Sequence, residues 1–242
     1  KKKFELADIL CIRHKPEQNL EKIVNPSVVG FSCYVWNMEY NLLLARMIKE
    51  KYPECLIVFG GHNVPDDTSL LEKHPFIDVL MHSEGEEPFS LMLKAVADGS
   101  DFSGIPDISF RNGCSIVTTE KKRIYDITEY PSPYTTGMFD PIIEEYPYIT
   151  FHATLETNRG CPYSCAFCDW CFTKKIRLFS MERIKGDIDW ISEHKIPYCY
   201  CADANFGIEE RDIETANYIL EVNRKNGYPQ VFKPCYAKNS DD

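Results

Sequence analysis

The stretch Thr157-Asn158-Arg159-Gly160-Cys161-Pro162-Tyr163-Ser164-Cys165-Ala166-Phe167-Cys168-Asp169-Trp170-Cys171 decides how this chain is read. Three cysteines stand at Cys161-x-x-x-Cys165-x-x-Cys168, too tightly bunched to be an accident of core packing. Thiolates this close in sequence can converge on one metal centre, and cysteine thiolates are the ligands of iron–sulfur clusters. Three of them can hold three corners of a four-iron cluster and leave the fourth iron for a substrate. Cys171 keeps a second reading open. With Cys161, Cys165 and Cys168 it completes a closed four-thiolate zinc site, which would make the chain a binding module and no enzyme. Zinc sites of that kind more often use two separated knuckles, whereas these four cysteines lie within eleven residues.

Outward from the cysteines, Ile149 to Leu155 alternates as a strand that delivers Glu156 to Gly160 into the loop. Downstream, Met181, Ile184, Ile188 and Ile191 line one face of a helix over 181–194. Tyr198 to Ala202 reads as the next strand and runs out into Asp203-Ala204-Asn205-Phe206-Gly207. A helix over Ile213 to Lys225 and a strand over Gln230 to Cys235 follow. In barrel-like folds the ends of such strands keep the ligand contacts, so Asp203 and Asn205 are candidates.

Upstream the rhythm is the same. Strands are expected at Ala7 to Ile12, Ser27 to Ser32, Cys55 to Phe59 and Ile77 to Met81, with helices at 16–24, 39–51 and 87–97. The apolar, β-branched strands suit burial on both faces of a doubly wound parallel α/β sheet. Ligands of such sheets sit beyond the carboxyl ends of the strands, where Ser32-x-Tyr34 and Gly60-Gly61 fall. Ser83-x-x-Glu86 reads as a helix capping box, and Asn112-Gly113 as a two-residue hairpin turn. Pro131, Pro133, Pro141 and Pro147 among aromatic residues suggest an extended arm. The expected organisation is a first domain at 1–125, a linker arm at 126–150 and a second domain at 151–242.

Net charge is −10, from 27 basic and 37 acidic side chains, the wrong sign for a nucleic-acid or anionic-membrane surface. The short basic runs Lys121-Lys122-Arg123 and Lys174-Lys175-x-Arg177 read as solvated surface. Eleven irregularly spaced cysteines, with no secretory signal before them, fit free thiols and a metal site in a reducing cytoplasm. No apolar run is long enough to span a bilayer.

The cysteine spacing, with Phe167 directly before the last cysteine, resembles the radical S-adenosylmethionine (SAM) signature. Asn158-Arg159-Gly160 before it and Asp169-Trp170 after it look like the cobalamin-associated branch of that family. The resemblance implies a Rossmann-like parallel sheet, part of a cobalamin-binding domain, followed by the first half of a partial TIM-type barrel. It implies a 4Fe–4S cluster on Cys161, Cys165 and Cys168, with SAM on the free iron and Phe167 near the adenine. One-electron cleavage of SAM would give a 5′-deoxyadenosyl radical; methyl transfer to a small-molecule or peptide substrate is the commonest outcome the resemblance implies, with non-methylating rearrangement, or a radical SAM enzyme that has lost cobalamin, as the alternatives. An electron donor such as flavodoxin or ferredoxin is implied as partner. Ser32, Tyr34, Gly60 and Gly61 would contact cobalamin. The Asp-x-His-x-x-Gly loop by which many such domains ligate cobalt is absent, so the corrin would be held without a protein histidine below it. That absence, with the missing initiator methionine and the short barrel, suggests a chain cut at both ends.

The two readings of the cysteine loop part at Cys171. A SAM-binding cluster needs one iron without a protein thiolate, whereas a closed zinc shell needs every ligand. Cys171→Ala is therefore expected to retain the iron and sulfide taken up on anaerobic reconstitution, while alanine at Cys161, Cys165 or Cys168 sharply reduces both. Zinc in the purified protein, lost equally from Cys171→Ala and Cys161→Ala, would overturn the cluster reading.

Overall fold

The computed structural model describes residues 4–122, 125–168 and 173–237. Arg123 of the basic run, Asp169 and Trp170 after the cysteines, and Cys171 lie outside the described residues. The chain divides into two compact units, Lys1–Tyr125 and Asp126–Asp242.

The first unit alternates helix and strand: α1 (Pro16–Lys22), β1 (Val28–Ser32), α2 (Met38–Lys51), β2 (Leu56–Gly60), α3 (Ser69–Lys73), β3 (Val79–Met81), α4 (Glu86–Asp98), β4 (Ile108–Asn112) and β5 (Ser115–Thr118). Successive side chains of a strand point to opposite faces. Ile57 and Phe59 accordingly pack with Leu42, Ala45 and Ile48 of α2, whereas Val58 joins Val79, Met92 and Ala95 on the α4 side. Both faces are covered, which is why these strands read as unbroken apolar runs.

The sheet departs from the sequence reading in three ways. Its order is β1-β2-β3-β4-β5, without the reversal that defines a doubly wound sheet. Only β1, β2 and β3 are parallel; the β4–β5 hairpin extends the same sheet antiparallel. Ala7 to Ile12 forms no strand. The hairpin loop is also displaced by one residue. Asn112 pairs with Ser115, so the turn is Gly113-Cys114, with Gly113 supplying the positive φ of 60° in first position.

In the second unit the order is α5 (Asp140–Glu145), β6 (His152–Leu155), β7 (Asn158–Arg159), β8 (Arg177–Leu178), α6 (Met181–Glu193), β9 (Tyr198–Cys201), α7 (Arg211–Asn226) and β10 (Val231–Lys233). β6, β9 and β10 lie side by side in chain order and all parallel, the start of a barrel-like winding. Ala153, Leu155 and Cys199 face Ile184, Ile188 and Ile191 of α6 and Ile219 and Val222 of α7. Ser180 caps α6 by accepting the Arg183 N–H at 3.2 Å.

Residues 126–150 are not a free-standing arm; they belong to the second unit. Ile127 is fully buried in its core, and Tyr130, Tyr134, Phe139 and Ile143 pack against it. The Tyr134 ring lies 5.0 Å from Trp190, whose indole N–H donates to Asp140 at 2.9 Å. The Tyr134 hydroxyl donates to the Thr154 carbonyl at 2.8 Å and accepts the Thr154 N–H at 2.9 Å. The segment runs through turns and the short helix α5 in place of an extended path, and its aromatic residues find cover on α6. Ile127→Ala is expected to destabilise the chain by about 2–5 kcal/mol, the range for emptying a fully buried isoleucine site. A urea melt that does not move would return the segment to the status of a linker.

Candidate functional site

The cysteine loop leaves the carboxyl end of β6 and is closed at its base by a two-stranded brace. β7 pairs antiparallel with β8, Asn158 opposite Leu178 and Arg159 opposite Arg177, and Phe179 N–H donates to the Thr157 carbonyl at 3.0 Å. Cys161 N–H donates to the Thr173 carbonyl at 3.0 Å, across the mouth of the loop. Gly160 makes this closure possible. Its φ is +117°, and a Cβ there would collide with the Lys175 carbonyl oxygen and lie 3.0 Å from its carbon.

Asp203, two residues beyond β9, is buried and spends both carboxylate oxygens on the stem of this loop. Oδ1 accepts Thr157 N–H at 2.8 Å and Asn158 N–H at 3.2 Å. Oδ2 accepts the Thr157 hydroxyl, and the Asn158 amide at 2.9 Å. Burial pushes the Asp203 carboxyl above its ordinary range, and the hydrogen bonds from Thr157 and Asn158 pull against that shift. The geometry makes Asp203 a brace for the loop. Asn205, 4% exposed, reaches the loop itself: its Nδ2 donates to Cys161 Sγ at 3.1 Å. Thr157 and Asn158 are thus functional neighbours that the spacing of the cysteines does not announce.

Of the three thiols, Cys161 is buried and Cys165 and Cys168 are half-buried, the last two joined in a turn by Cys168 N–H to the Cys165 carbonyl at 3.0 Å. Among the described residues no three His, Cys, Asp or Glu side chains are gathered to hold a metal. Thiol loops of this kind are drawn together by the ion they bind. The donor set nevertheless suits a thiophilic iron cluster: three sulfurs on one loop, its base fixed and one sulfur already hydrogen-bonded. Phe167 is 84% exposed beside them. Cys199 packs into the core under α6 and α7, where burial pushes its thiol up to about 12. Cys201 is buried too and pushed upward, chiefly by burial, but its thiol is hydrogen-bonded to Asp203.

The second candidate cluster lies in the first unit, at the carboxyl ends of β1, β2 and β3. Gly61 (φ +105°) sits so close to the β1 loop that a Cβ would come 2.8 Å from the Cys33 carbonyl oxygen. Cys33 N–H in turn donates to the Gly60 carbonyl at 2.7 Å, and Asn63 N–H to the Cys33 carbonyl at 3.0 Å. Gly60 itself meets only an ordinary contact with Met81. Asn37 and Asn41 brace the Ser32 carbonyl at 2.8 and 3.1 Å, leaving the Ser32 side chain exposed. The Tyr34 ring stacks on Trp36 at 4.7 Å, and Trp36 and Val35 are 67% and 79% exposed. Exposed His62 tilts toward Tyr34 at 5.7 Å.

Ser83 does not cap α4. The helix begins at Glu86 with Gly85 at its N-cap, and among the described residues Ser83 Oγ is buried without a hydrogen-bond partner. An orphaned hydroxyl, a backbone cradle that a side chain would fill and an exposed aromatic–aliphatic patch together suit a large, flat, partly apolar ligand with polar substituents.

No protein-family model matches the chain. It is 40% identical over 233 residues to the cobalamin-dependent radical SAM methyltransferase TokK of Streptomyces tokunonensis, covering 93% of this chain and 34% of that protein. It is also 40% identical over 227 residues to the 2-(S-pantetheinyl)-carbapenam-3-carboxylate methyltransferase of Streptantibioticus cattleyicolor, covering 91% of this chain and 33% of that one. The chain spans about a third of the length of the curated relatives it matches. Among solved structures it superposes on the cobalamin-dependent S-adenosylmethionine radical enzyme OxsB with a TM-score of 0.67 at 20% identity, covering 89% of this chain and 31% of that one. That likeness is one of fold: a Rossmann-like unit followed by part of a barrel.

The glycines of the second unit give a graded test of the loop's closure. Gly207 has a positive φ of 92° but open space where a Cβ would stand, whereas Gly160 has both the φ and the collision. Gly207→Ala is expected to cost about 1–2 kcal/mol, the conformational part alone. Gly160→Ala should cost measurably more in the same denaturant melt. Equal losses would mean that the loop base is not closed as described.

Proposed function

We propose that this chain, a member of the cobalamin-dependent radical S-adenosylmethionine family, carries the cofactor-binding part of a methyl-transfer enzyme acting on a small-molecule substrate. The observation that carries this reading is the loop Cys161–Cys168. It offers three thiols from a braced stem at the carboxyl end of a parallel strand, with Asn205 in contact from the next strand. Cys161, Cys165 and Cys168 would hold a 4Fe–4S cluster, leaving one iron for SAM, and exposed Phe167 would lie against the adenine. In the first unit Ser32, Tyr34, Gly60 and Gly61, together with the orphaned Ser83 hydroxyl, would hold cobalamin, with no histidine below the cobalt.

The bound groups would supply one-electron chemistry and a transferable methyl group; the protein supplies position and a dry surround. Asp203 fixes where the loop starts, Gly160 lets it fold back on Lys175, and the brace of β7 and β8 resists its opening. Tyr34 and Trp36 offer flat apolar cover. A low-potential donor such as flavodoxin or ferredoxin would deliver the electron. Among the described residues no helix is long and apolar enough to cross a membrane.

Anaerobically reconstituted protein is expected to show the electron paramagnetic resonance signal of a reduced 4Fe–4S cluster, and SAM is expected to change it. Phe167→Ala should keep the cluster and weaken the response to SAM by about 1–3 kcal/mol, by analogy with stacked bases. Hydroxocobalamin should remain with the protein through desalting and colour it. A signal indifferent to SAM would remove the radical SAM reading. A colourless protein with an intact cluster would remove cobalamin alone.

A further inference from the structure

The hydrogen bond from Asn205 to Cys161 has no counterpart in the packing logic of the second unit. Asn205 lies beyond the end of β9, outside the sheet, and both partners are buried, at 4% and 9% exposure. A primary amide is costly to bury unless its donors are used. Here one N–H is spent on a sulfur at 3.1 Å, close for a bond to so large an acceptor. The aim of the amide is set from two sides. Asp203 ties this segment to Thr157 and Asn158 at the start of the cysteine loop, and Phe206 N–H donates to the Cys235 carbonyl at 2.7 Å beyond β10.

We propose that Asn205 is a positioning residue that sets the reduction potential of the cluster held by Cys161, Cys165 and Cys168. The proposal rests on the cluster reading above. An N–H aimed at a ligand sulfur stabilises negative charge on it, and in a buried site that effect is little screened. The reduced cluster carries one electron more than the oxidised one, so the bond favours the reduced form and raises the potential. No bond to the amide is made or broken. One electron enters from an external low-potential reductant, dithionite in the experiment below, and Asn205 only biases where it rests. The same bond holds the Cys161 sulfur toward the loop, so that one ligand is oriented before the others gather.

The test uses the reconstituted 242-residue chain, with iron and sulfide assays and a dithionite titration followed by electron paramagnetic resonance. Asn205→Leu keeps the volume and removes the donor; Asn205→Gln keeps an amide. The leucine variant is expected to hold less reduced cluster at a fixed potential by about tenfold, a shift of roughly 60 mV to the negative for a one-electron couple. The glutamine variant should recover most of that shift. Loss of iron from the leucine variant with retention in the glutamine variant would support the orienting part of the same role. A leucine variant with the wild-type potential would overturn the proposal. So would identical loss of iron from both variants, which marks the side chain as packing. If the wild-type chain itself yields no iron–sulfur signal, the cluster reading fails first, and the two failures are told apart.

Discussion

Four hydrogen bonds from Thr157 and Asn158, the residues at which the chain turns from β6 into the cysteine loop, converge on the buried carboxylate of Asp203, which the Cys201 thiol also reaches. They join points more than forty residues apart in sequence and fix where the loop begins relative to β9. Everything at that end follows from this tie. Asn158, held by Asp203, is itself a residue of the β7–β8 brace, Gly160 follows it against Lys175, and Asn205 meets Cys161 from a position two residues beyond Asp203 on the same segment. Breaking one bond of such a buried set costs about 1–3 kcal/mol, since the partner left behind cannot turn to water.

What the sequence showed and what it hid divide along contact range. The spacing of Cys161, Cys165 and Cys168 is a local pattern, and so are the alternating strands and the apolar face of α6; all were legible. The partners of Asp203 were not, because nothing near residue 203 points to Thr157. The pair Asp203-x-Asn205 stands out in the sequence as candidate ligand contacts at a strand end, without the partners of either. Its division of labour, one side chain for the stem and one for the sulfur, needed the fold. Ser83 misled for the opposite reason. A capping box is a local motif, but α4 begins two residues later than the motif needs, with Gly85 in the cap position. The hydroxyl is left to another purpose.

The first unit builds its candidate site by a different route. Loops after β1 and β2 are stitched by backbone hydrogen bonds, through Cys33, Gly60 and Asn63, and the stitch is tight enough that a side chain at Gly61 would collide with Cys33. Burial pushes the Cys33 thiol up to about 11, so it takes part as a small apolar filler and not as a nucleophile. A platform made of main chain presents aromatic faces and peptide groups but little charge, which suits a bulky, nearly flat partner more than a small ion.

The packing of residues 126–150 has a practical edge. Ile127, Tyr130, Tyr134 and Phe139 roof the Trp190 side of α6, and Tyr134 closes the backbone of β6 at Thr154. A shortened protein that started at residue 151, just before β6, would emerge from the ribosome with that roof missing. Its bare indole and isoleucine surface would offer a place for other copies to stick, and its first strand an open edge to pair with. Moving the start back to residue 126 restores both covers. The boundary that matters for handling the cysteine-loop half alone is therefore set by where apolar surface finds its lid, some twenty-five residues earlier than the strand pattern suggests.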